Sequence, residues 1–281
     1  MIHGSPSPAA AAARGTAERP TTELVQLLDV EPELEAGLSG GDLELVRRRL
    51  VFRSERLPEG SWRPPADRPP ALGGLLTEGI VLRTTSRFGR SDVQLFGPGD
   101  LVDGPMLVDP RSAWTVVQSG RVAVLDDRFL VAARHWPRLT RWLVSRLCEA
   151  RADAHAMAAI VAMPRVEERL LALMCHLAAR WGRVTLDGVT IALPVTHAVL
   201  GALVGARRPT VSLALAALNE QGLLRRRCDG RWLLPPESSD WPTTGIPSVR
   251  SAVAAPSPGG VRWRRSDADA PAPPATVHSL R

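Results

Sequence analysis

The sequence predicts an α+β protein built from an N-terminal antiparallel β-barrel or sandwich, a long helix and a C-terminal winged helix-turn-helix. Three observations predict this order. Residues 50–125 hold brief apolar stretches broken by turn residues, residues 138–162 contain neither glycine nor proline, and residues 193–234 show a helix–turn–helix–hairpin pattern. Apolar residues make up 44% of the 281-residue chain, which is enough for two cores.

Changes in composition divide the chain into five parts. Residues 1–21 and 237–281 are rich in Ala, Pro, Ser and Gly, and we expect both tails to be disordered. Between them we place a barrel domain at residues 22–135, a helix at 136–162 and a helix-turn-helix domain at 163–236.

The barrel domain begins with a short helical pattern from Glu23 to about Leu50, which is followed by strands. The predicted strands are Leu50–Phe52, Gly60–Trp62, Gly79–Arg83, Val93–Phe96 and Trp114–Leu125. Strands of this length and spacing are typical of an antiparallel barrel or sandwich. The segment 96–102, FGPGDLV, should form a turn between two of them.

Apolar residues recur at three- and four-residue steps through the predicted long helix. They are Leu139, Trp142, Leu143, Leu147, Ala150, Ala154, Met157 and Ile160. A helix with such a stripe needs a neighbour to cover it. A matching helix from a second copy of the chain would do so, which predicts a homodimer through residues 136–162. The alternative is that the barrel of the same chain covers the stripe.

Two further helices joined by a tight turn are predicted after residue 195. Thr196 stands where an N-cap would begin the first of them. Gly205 lies in a turn short enough to set the two helices at a steep angle. In the second helix Val211, Leu215 and Leu218 share one face, because steps of four and three residues return to the same side. That face should pack inward.

The outward face of the second helix predicts DNA binding. It is small and nearly uncharged, with its cations at the N-terminus, and consists of Arg207, Arg208, Pro209, Ser212, Leu213 and Ala216. Such a helix can enter a major groove with its first turn near bases and phosphates. Four arginines then flank the Asp229-Gly230 turn of a hairpin wing: Arg225, Arg226, Arg227 and Arg231.

The alternative for this region is ordinary packing of a helical hairpin on a β-hairpin, with the arginines on a solvated face. Residues 196–234 contain six arginines against Glu220 and Asp229, which is a net charge of +4. This local excess favours phosphate contacts and a salt-dependent affinity.

Composition and cysteine spacing narrow the classes of protein to which the chain can belong. All 35 basic residues are arginine and there is no tyrosine, which indicates GC-rich coding rather than a function. Cys148, Cys175 and Cys228 have neither disulfide-framework nor metal-motif spacing, so we expect reduced thiols. The chain has no 18-residue apolar run and no signal-peptide pattern, and we therefore expect a cytoplasmic protein.

Motifs of catalysis are missing from the sequence. It contains no serine-nucleophile elbow, no histidine pair at metal-binding spacing and no phosphate-binding glycine loop. We therefore expect no enzymatic activity, no metal and no cofactor.

The chain resembles the Crp/Fnr family of bacterial transcription regulators in three stretches. They are GDL (99–101), RVAVLD (121–126) and PRVEERLLALMCHLAARWGRVTLDGVTIALPVTHAVLGALVGARRPTVSLALAALNEQGLL (164–224). The resemblance spans about Leu24 to Leu234. It implies a jelly-roll barrel of the cyclic-nucleotide-binding type, a dimerisation helix and a winged helix-turn-helix. Family members bind palindromic double-stranded DNA as homodimers and contact RNA polymerase to activate or block it, and the resemblance implies the same here.

The resemblance also implies roles for residues at the DNA end. Arg207, Arg208 and Pro209 stand where the family begins its recognition helix, and Arg208 takes the place of an arginine that contacts guanine. A bidentate contact of this kind is worth about 1–3 kcal/mol of discrimination. Pro209 replaces an acidic residue that many members have, and Leu213 replaces a second base-contacting arginine, so the preferred DNA sequence should differ from that of the family's cyclic-AMP receptor protein.

Three other side chains near the same end complete the predicted contacts. Ser212 is a candidate for a base edge, and Leu213 is a candidate for a thymine methyl group. Thr210 is placed on a phosphate.

The effector site departs from the family pattern. Members that bind cyclic nucleotides have a Gly-Glu pair shortly after GD, where this chain has VDGP (102–105). Arg111 and Ser112 resemble the pair that takes the cyclic phosphate, but they follow GD too closely. Ala154 and His155 stand where a hydroxyl pair would receive the purine. We therefore expect no cyclic AMP binding, and Arg111 and Ser112 remain candidates for an unknown small-molecule effector.

The alternative is that Arg111 is an ordinary loop residue and that no effector binds. The chain would then be a ligand-independent DNA-binding or architectural protein whose barrel only dimerises.

Overall fold

A computed structural model of the chain describes residues 23–35, 38–64, 72–87 and 90–236. The two tails predicted to be disordered, 1–21 and 237–281, lie outside the described residues. The order of parts predicted from the sequence, sheet then long helix then helix-turn-helix, is confirmed.

The described residues of the N-terminal domain form seven strands and four short helices. The strands are β1 (Glu23–Gln26), β2 (Val51–Leu57), β3 (Gly60–Trp62), β4 (Gly73–Arg87), β5 (Arg90–Phe96), β6 (Leu101–Asp103) and β7 (Ser112–Leu125). The helices are α1 (Leu27–Val30), α2 (Gly40–Arg49), α3 (Gly104–Leu107) and α4 (Asp127–Ala133), with a 3-10 turn at Pro32–Glu35.

The prediction of a helical segment from Glu23 is wrong for its first four residues. Glu23–Gln26 form β1, which pairs antiparallel with β2, so that Val25 lies opposite Phe52. A free sheet edge at β2 outweighs the local helical pattern, because pairing satisfies the backbone groups of both segments.

All strands of this domain pair antiparallel in the order β1-β2-β7-β4-β5, with β3 on β7 and β6 on β4. β4 and β7 run beside each other for most of their length, but register shifts between Leu76 and Val81 divide the ladder in two. Gly79 lies at this break with φ +86°, and a Cβ there would come 2.7 Å from the carbonyl oxygen of Gln118. The glycine therefore permits the close approach of β4 and β7 at this irregularity.

Two apolar cores form on this sheet. One contains Leu57, Leu76, Val81, Val102, Leu107, Trp114, Val116 and Val122. The other lies under the helices and includes Leu27, Val46, Leu50, Phe52, Leu75, Leu125, Phe129, Leu139 and Leu143.

The long helix is α5 (Pro137–Ala162), with bounds one residue from the predicted ones. Its own chain covers much of the predicted stripe. Leu139 and Leu143 are buried against the N-terminal domain, as the alternative to a dimer seam predicts, whereas Ile160 is buried in the core of the C-terminal domain. Leu147 and Ala154, in contrast, stay exposed. The stripe assigned to a dimer partner is therefore largely an intramolecular contact.

The C-terminal domain is built from α6 (Val166–Trp181), α7 (His197–Val204) and α8 (Arg208–Glu220) on a four-stranded sheet. The strands are β8 (Arg183–Thr185), β9 (Gly188–Ile191), β10 (Arg225–Arg226) and β11 (Trp232–Leu234), in the order β10-β11-β9-β8. In the part of the chain that the structure describes, no single helix has the length and hydropathy of a membrane span. Only α7 and α8 together pass that test, and they meet at 97°.

The end of α6 packs against the N-terminal domain through an ionic cluster. Arg180 forms ion pairs with Asp100, in the turn before β6, and with Asp153 on α5, where Nε lies 3.3 Å from Oδ2. Its guanidinium also lies 4.5 Å from the ring centroid of Trp181. That indole covers Gly97, where a Cβ would come 2.5 Å from its Cζ2 atom.

Apolar side chains complete this domain boundary. β5 runs beside α7. Leu82, Val93, Leu95 and Val117 of the N-terminal domain pack against the core of the C-terminal domain. The helix-turn-helix is thus held against its own sheet domain by both charged and apolar contacts.

Candidate nucleic-acid interface

The turn between α7 and α8 has the geometry that its sequence predicts. The hydroxyl of Thr196 caps α7 by accepting a hydrogen bond from the amide of Val199 at 3.3 Å. Gly205 ends the helix with φ +64°, a left-handed conformation that glycine adopts without steric cost. The amide of Ala206 then donates to the carbonyl of Gly201 at 2.8 Å, which closes the turn.

The predicted inward face of α8 is confirmed. Val211, Leu215 and Leu218 are buried in the core of the domain. On the opposite face Leu213 is 73% exposed. An apolar side chain held this far into solvent is available for contact with another molecule.

Arg207 and Arg208 lie exposed at the start of α8. Among the described residues, neither side chain has a hydrogen-bond or ion-pair partner. Pro209 and Thr210 in the first turn are exposed as well. The helix also has no side-chain cap and no acidic residue in this turn. Two unpaired cations therefore stand beside the positive end of a helix dipole, which is a site suited to phosphates.

The hydroxyl of Ser212 makes hydrogen bonds within its own domain, unlike a side chain that is free to contact a base. Its hydroxyl donates to the carbonyl of Arg208 at 3.1 Å, and it lies 2.9 Å from Nδ1 of His197 on α7. The side chain is half-buried between the two helices. Its contact with a base edge stays a prediction, and no local pattern in the sequence indicates the His197 contact.

The wing is confirmed as a short hairpin with Gly230 at φ +78°. Arg227 and Arg231 make loose ion pairs with Asp187 and Asp229, at 3.4 and 3.8 Å. The guanidinium of Arg226 lies 5.2 Å from the ring centroid of Trp232. Arg225 is exposed. Exposed ion pairs of this kind contribute little, so these arginines can exchange their partners for phosphates.

The family model described as Crp-like helix-turn-helix domain matches residues 168–236. The C-terminal domain is a Crp-like helix-turn-helix domain. A sequence comparison with curated proteins finds no match for the chain.

Solved structures share the fold of about two thirds to three quarters of the chain. The chain is similar to a mutant of CooA from Carboxydothermus hydrogenoformans, with 19% identity and TM-score 0.55 over 77% of this chain and 93% of that one. FixK2 from Bradyrhizobium japonicum matches with 20% identity and TM-score 0.53 over 66% and 93%. A cyclic nucleotide-binding domain containing protein from Listeria monocytogenes EGD-e matches with 15% identity and TM-score 0.55 over 74% and 97%. The predicted fold class is therefore confirmed.

Outside the Crp-like domain, the structure assigns internal partners to the two candidate effector residues. Arg111 is 55% exposed and is bound by Asp109, with Nε 2.9 Å from Oδ1. Ser112 faces the sheet interior, where its hydroxyl accepts a hydrogen bond from Nε of Arg83 at 2.9 Å. Arg111 and Ser112 therefore do not form a pair of free side chains that point towards one effector.

Arg83 is the centre of this cluster, and the sequence analysis missed it. Its guanidinium is buried and donates to Oε1 of Gln94 at 2.9 Å and to Oδ2 of Asp109 at 3.4 Å. Hydrogen bonds from Arg111, and then the charges of Arg111 and Arg83, lower the pKa of Asp109. One sequence signal could have indicated a buried Arg83. Strand alternation places it two residues after the buried Val81, on the same face of β4.

His176 on α6 is a second buried ionisable group at the domain boundary. Burial, and then the nearby charge of Arg180, lower its pKa to about 4. Its Nε2 lies 3.4 Å from Oδ1 of Asp153, but this contact lacks hydrogen-bond geometry. The imidazole is therefore neutral at pH 7.

Proposed function

We propose that this protein is a sequence-specific, DNA-binding transcription regulator of the Crp/Fnr type that binds a palindromic site as a homodimer. The observation that carries the proposal is the exposed, unpaired start of α8 on the Crp-like domain. It combines two free cations with an outward Leu213 on a helix whose other face is buried.

The contacts divide into those that select bases and those that hold the backbone. Arg208 reaches guanine, and Leu213 contacts a thymine methyl group. Arg207, Thr210 and the four wing arginines bind phosphates, which fix the register of the helix in the groove. RNA polymerase and double-stranded DNA are the expected partners, and the cytoplasm is the expected compartment.

The homodimer is supported by the outer face of α5. Val144 and Leu147 are 52% and 42% exposed, and Val161 near the other end is 41% exposed. Ala154 and Ala158 lie between them and are exposed as well. Small and branched side chains in such a row allow two parallel helices to approach closely. A two-fold axis along this face would present two α8 helices to half-sites roughly 34 Å apart.

The oligomeric state can be tested directly. Val144→Asp places a charge in the proposed seam and should convert a dimer into a monomer in sedimentation experiments. Leu186→Asp, at the fully exposed turn between β8 and β9, is the matched control and should leave the mass unchanged. A wild-type monomer, or a dimer that survives Val144→Asp, contradicts this seam.

The N-terminal domain supports a degenerate sensor. Arg111 and Ser112 both bind residues of their own chain, and a cyclic phosphate would have to displace Asp109 from Arg111. The same observation favours a second candidate function, a ligand-independent DNA-binding protein whose N-terminal domain only dimerises. A small-molecule effector would have to change the DNA affinity, because allostery is a coupling free energy between two sites.

The experiment is a selection of genomic DNA fragments by the full-length protein, with and without a metabolite extract. Enrichment of a palindrome with half-sites one helical turn apart supports the dimeric regulator. Dependence on the extract supports an effector, and independence favours the second candidate. For variants that lose an arginine at the DNA-binding end, Arg49→Ala removes an exposed charge from α2 and is the control for loss of net charge. Absence of enrichment in both conditions contradicts sequence-specific binding.

A further inference from the structure

Three groups connect the two helices of the Crp-like domain at its DNA-facing end. Nδ1 of His197, the first residue of α7, lies 2.9 Å from the hydroxyl of Ser212 on α8. The same hydroxyl lies 3.1 Å from the carbonyl oxygen of Arg208, one turn earlier in α8. A side chain of α7 is thereby linked to the backbone of the residue proposed to contact guanine.

The direction of these hydrogen bonds follows from the proton count. A serine hydroxyl has one proton, and a carbonyl oxygen can only accept. The proton of Ser212 therefore goes to Arg208, and the hydroxyl oxygen accepts from His197. The imidazole must carry a proton on Nδ1, which fixes its orientation against the first turn of α8.

This link stands where the recognition helix lacks other support. α8 has no side-chain cap at Arg207. The Arg208 side chain has no partner among the described residues, so the position of its guanidinium depends on its backbone. The bond from Ser212 is the one side-chain contact to that carbonyl within the described part of the chain.

We infer that His197 is a positioning residue for DNA sequence recognition, acting through Ser212 on the backbone of Arg208. The inference rests on the proposed function, because it concerns which base Arg208 selects. His197 does not contact DNA in this arrangement. Its removal loosens the first turn of α8 and lowers discrimination between bases, while phosphate contacts made elsewhere persist.

The test is a double-mutant cycle in the full-length protein. Affinity is measured for the selected site and for the same site with one base changed in each half-site, and the ratio of the two is the discrimination. His197→Ala and Ser212→Ala should each lower this ratio about 3- to 10-fold, the range expected for one hydrogen bond. The discrimination ratio of the double variant should be no lower than that of the weaker single variant, because both substitutions break the same series of hydrogen bonds from His197 through Ser212 to Arg208.

Two further variants separate positioning from a general structural role. His197→Asn keeps an N–H donor near the place of Nδ1 and should restore the ratio to within about 2-fold of the wild-type value. Thr185→Ala removes the hydrogen bond from the Thr185 hydroxyl to the carbonyl of Gly188 in the β8–β9 turn, away from α7 and α8, and should lower the melting temperature while leaving the ratio unchanged.

Several outcomes overturn the inference. Equal loss of affinity for both DNA sites in His197→Ala would make His197 a direct phosphate contact. An additive double variant, or failure of His197→Asn to restore the ratio, would show that the two residues act separately. If the wild-type protein discriminates between the two DNA sites and His197→Ala keeps the full ratio, this inference alone is overturned. A wild-type protein without any discrimination overturns the proposed function as well.

Discussion

Arg83 and Arg208 put the same side chain to opposite uses. Arg83 is buried in the N-terminal domain and donates to Ser112, Gln94 and Asp109. Arg208 is exposed and has no partner among the described residues. A buried guanidinium must find its acceptors inside the protein, because leaving water is costly for a charge. An exposed one can bind acceptors of another molecule, so the difference separates a structural cluster from a binding surface.

The largest effect should come from breaking the buried side of this comparison. Arg83→Met keeps an apolar stem but removes the guanidinium that donates to Ser112, Gln94 and Asp109. The free energy of unfolding should fall by about 3–5 kcal/mol, because each buried group that loses its hydrogen-bond partner costs about 1–3 kcal/mol and Arg83 has three such partners. Denaturant titration measures it. Arg111→Ala, on the exposed side of the same Asp109, is the control and should change stability by less than about 0.5 kcal/mol. An equal loss of unfolding free energy in the two variants would contradict the distinction between buried and exposed arginines.

The buried His176 predicts a loss of stability in acid. Its folded-state pKa of about 4 lies below the ordinary 6.5, so the unfolded chain binds the proton first. Its contribution is complete above pH 6.5 and is lost as the pH falls towards 4, by about 3 kcal/mol at most. His176→Gln should remove this slope. Asp100 and Asp153, whose pKa values burial raises, titrate in both proteins, so the difference between the two curves isolates the imidazole. Coincident curves would contradict the assignment.

The exposed side of the comparison is tested by Arg208→Ala. Affinity for the selected DNA site should fall by about 1–3 kcal/mol while weak binding to unrelated DNA survives. Thermal stability should not change, because Arg208 has no partner in the part of the chain that the structure describes. Arg49→Ala is the control for charge. Equal loss on both kinds of DNA would instead make Arg208 a phosphate contact.

The smallest effect per residue is expected in the wing. Replacing Arg225, Arg226 or Arg227 by Ala should weaken binding to all sequences alike, and should lower the salt slope by about 1 for each phosphate that is no longer bound. Filter binding over a range of salt concentrations measures the slope. Arg227 should show the least change of the three, since Asp187 already pairs with it. An unchanged slope in all three variants would exclude the wing as a phosphate-binding element.

Local signals made the Crp-like domain predictable from the sequence. The cap at Thr196, the glycine at 205 and the spacing of Val211, Leu215 and Leu218 each act within a few residues. Such features depend little on the rest of the fold. The exposed start of α8 followed from the same spacing, because burying one face leaves the other free.

Contacts between distant segments could not be predicted in this way. Arg180 and Asp100 are 80 positions apart, and nothing near either residue specifies the other. The cluster around Arg83 joins three strands and a loop, and the neighbour that covers α5 depends on how the domains pack. His197 and Ser212 are closer in sequence, but their contact needs the 97° bend between α7 and α8.

The contact of Trp181 with Gly97 has a consequence for how this protein can vary over evolutionary time. A side chain at position 97 has no room while the indole occupies that space. Any descendant that acquires one must also acquire a smaller residue at position 181, and would then lose the ring beneath Arg180. The two positions are distant in the sequence, yet position 97 is expected to change only together with position 181 or after it.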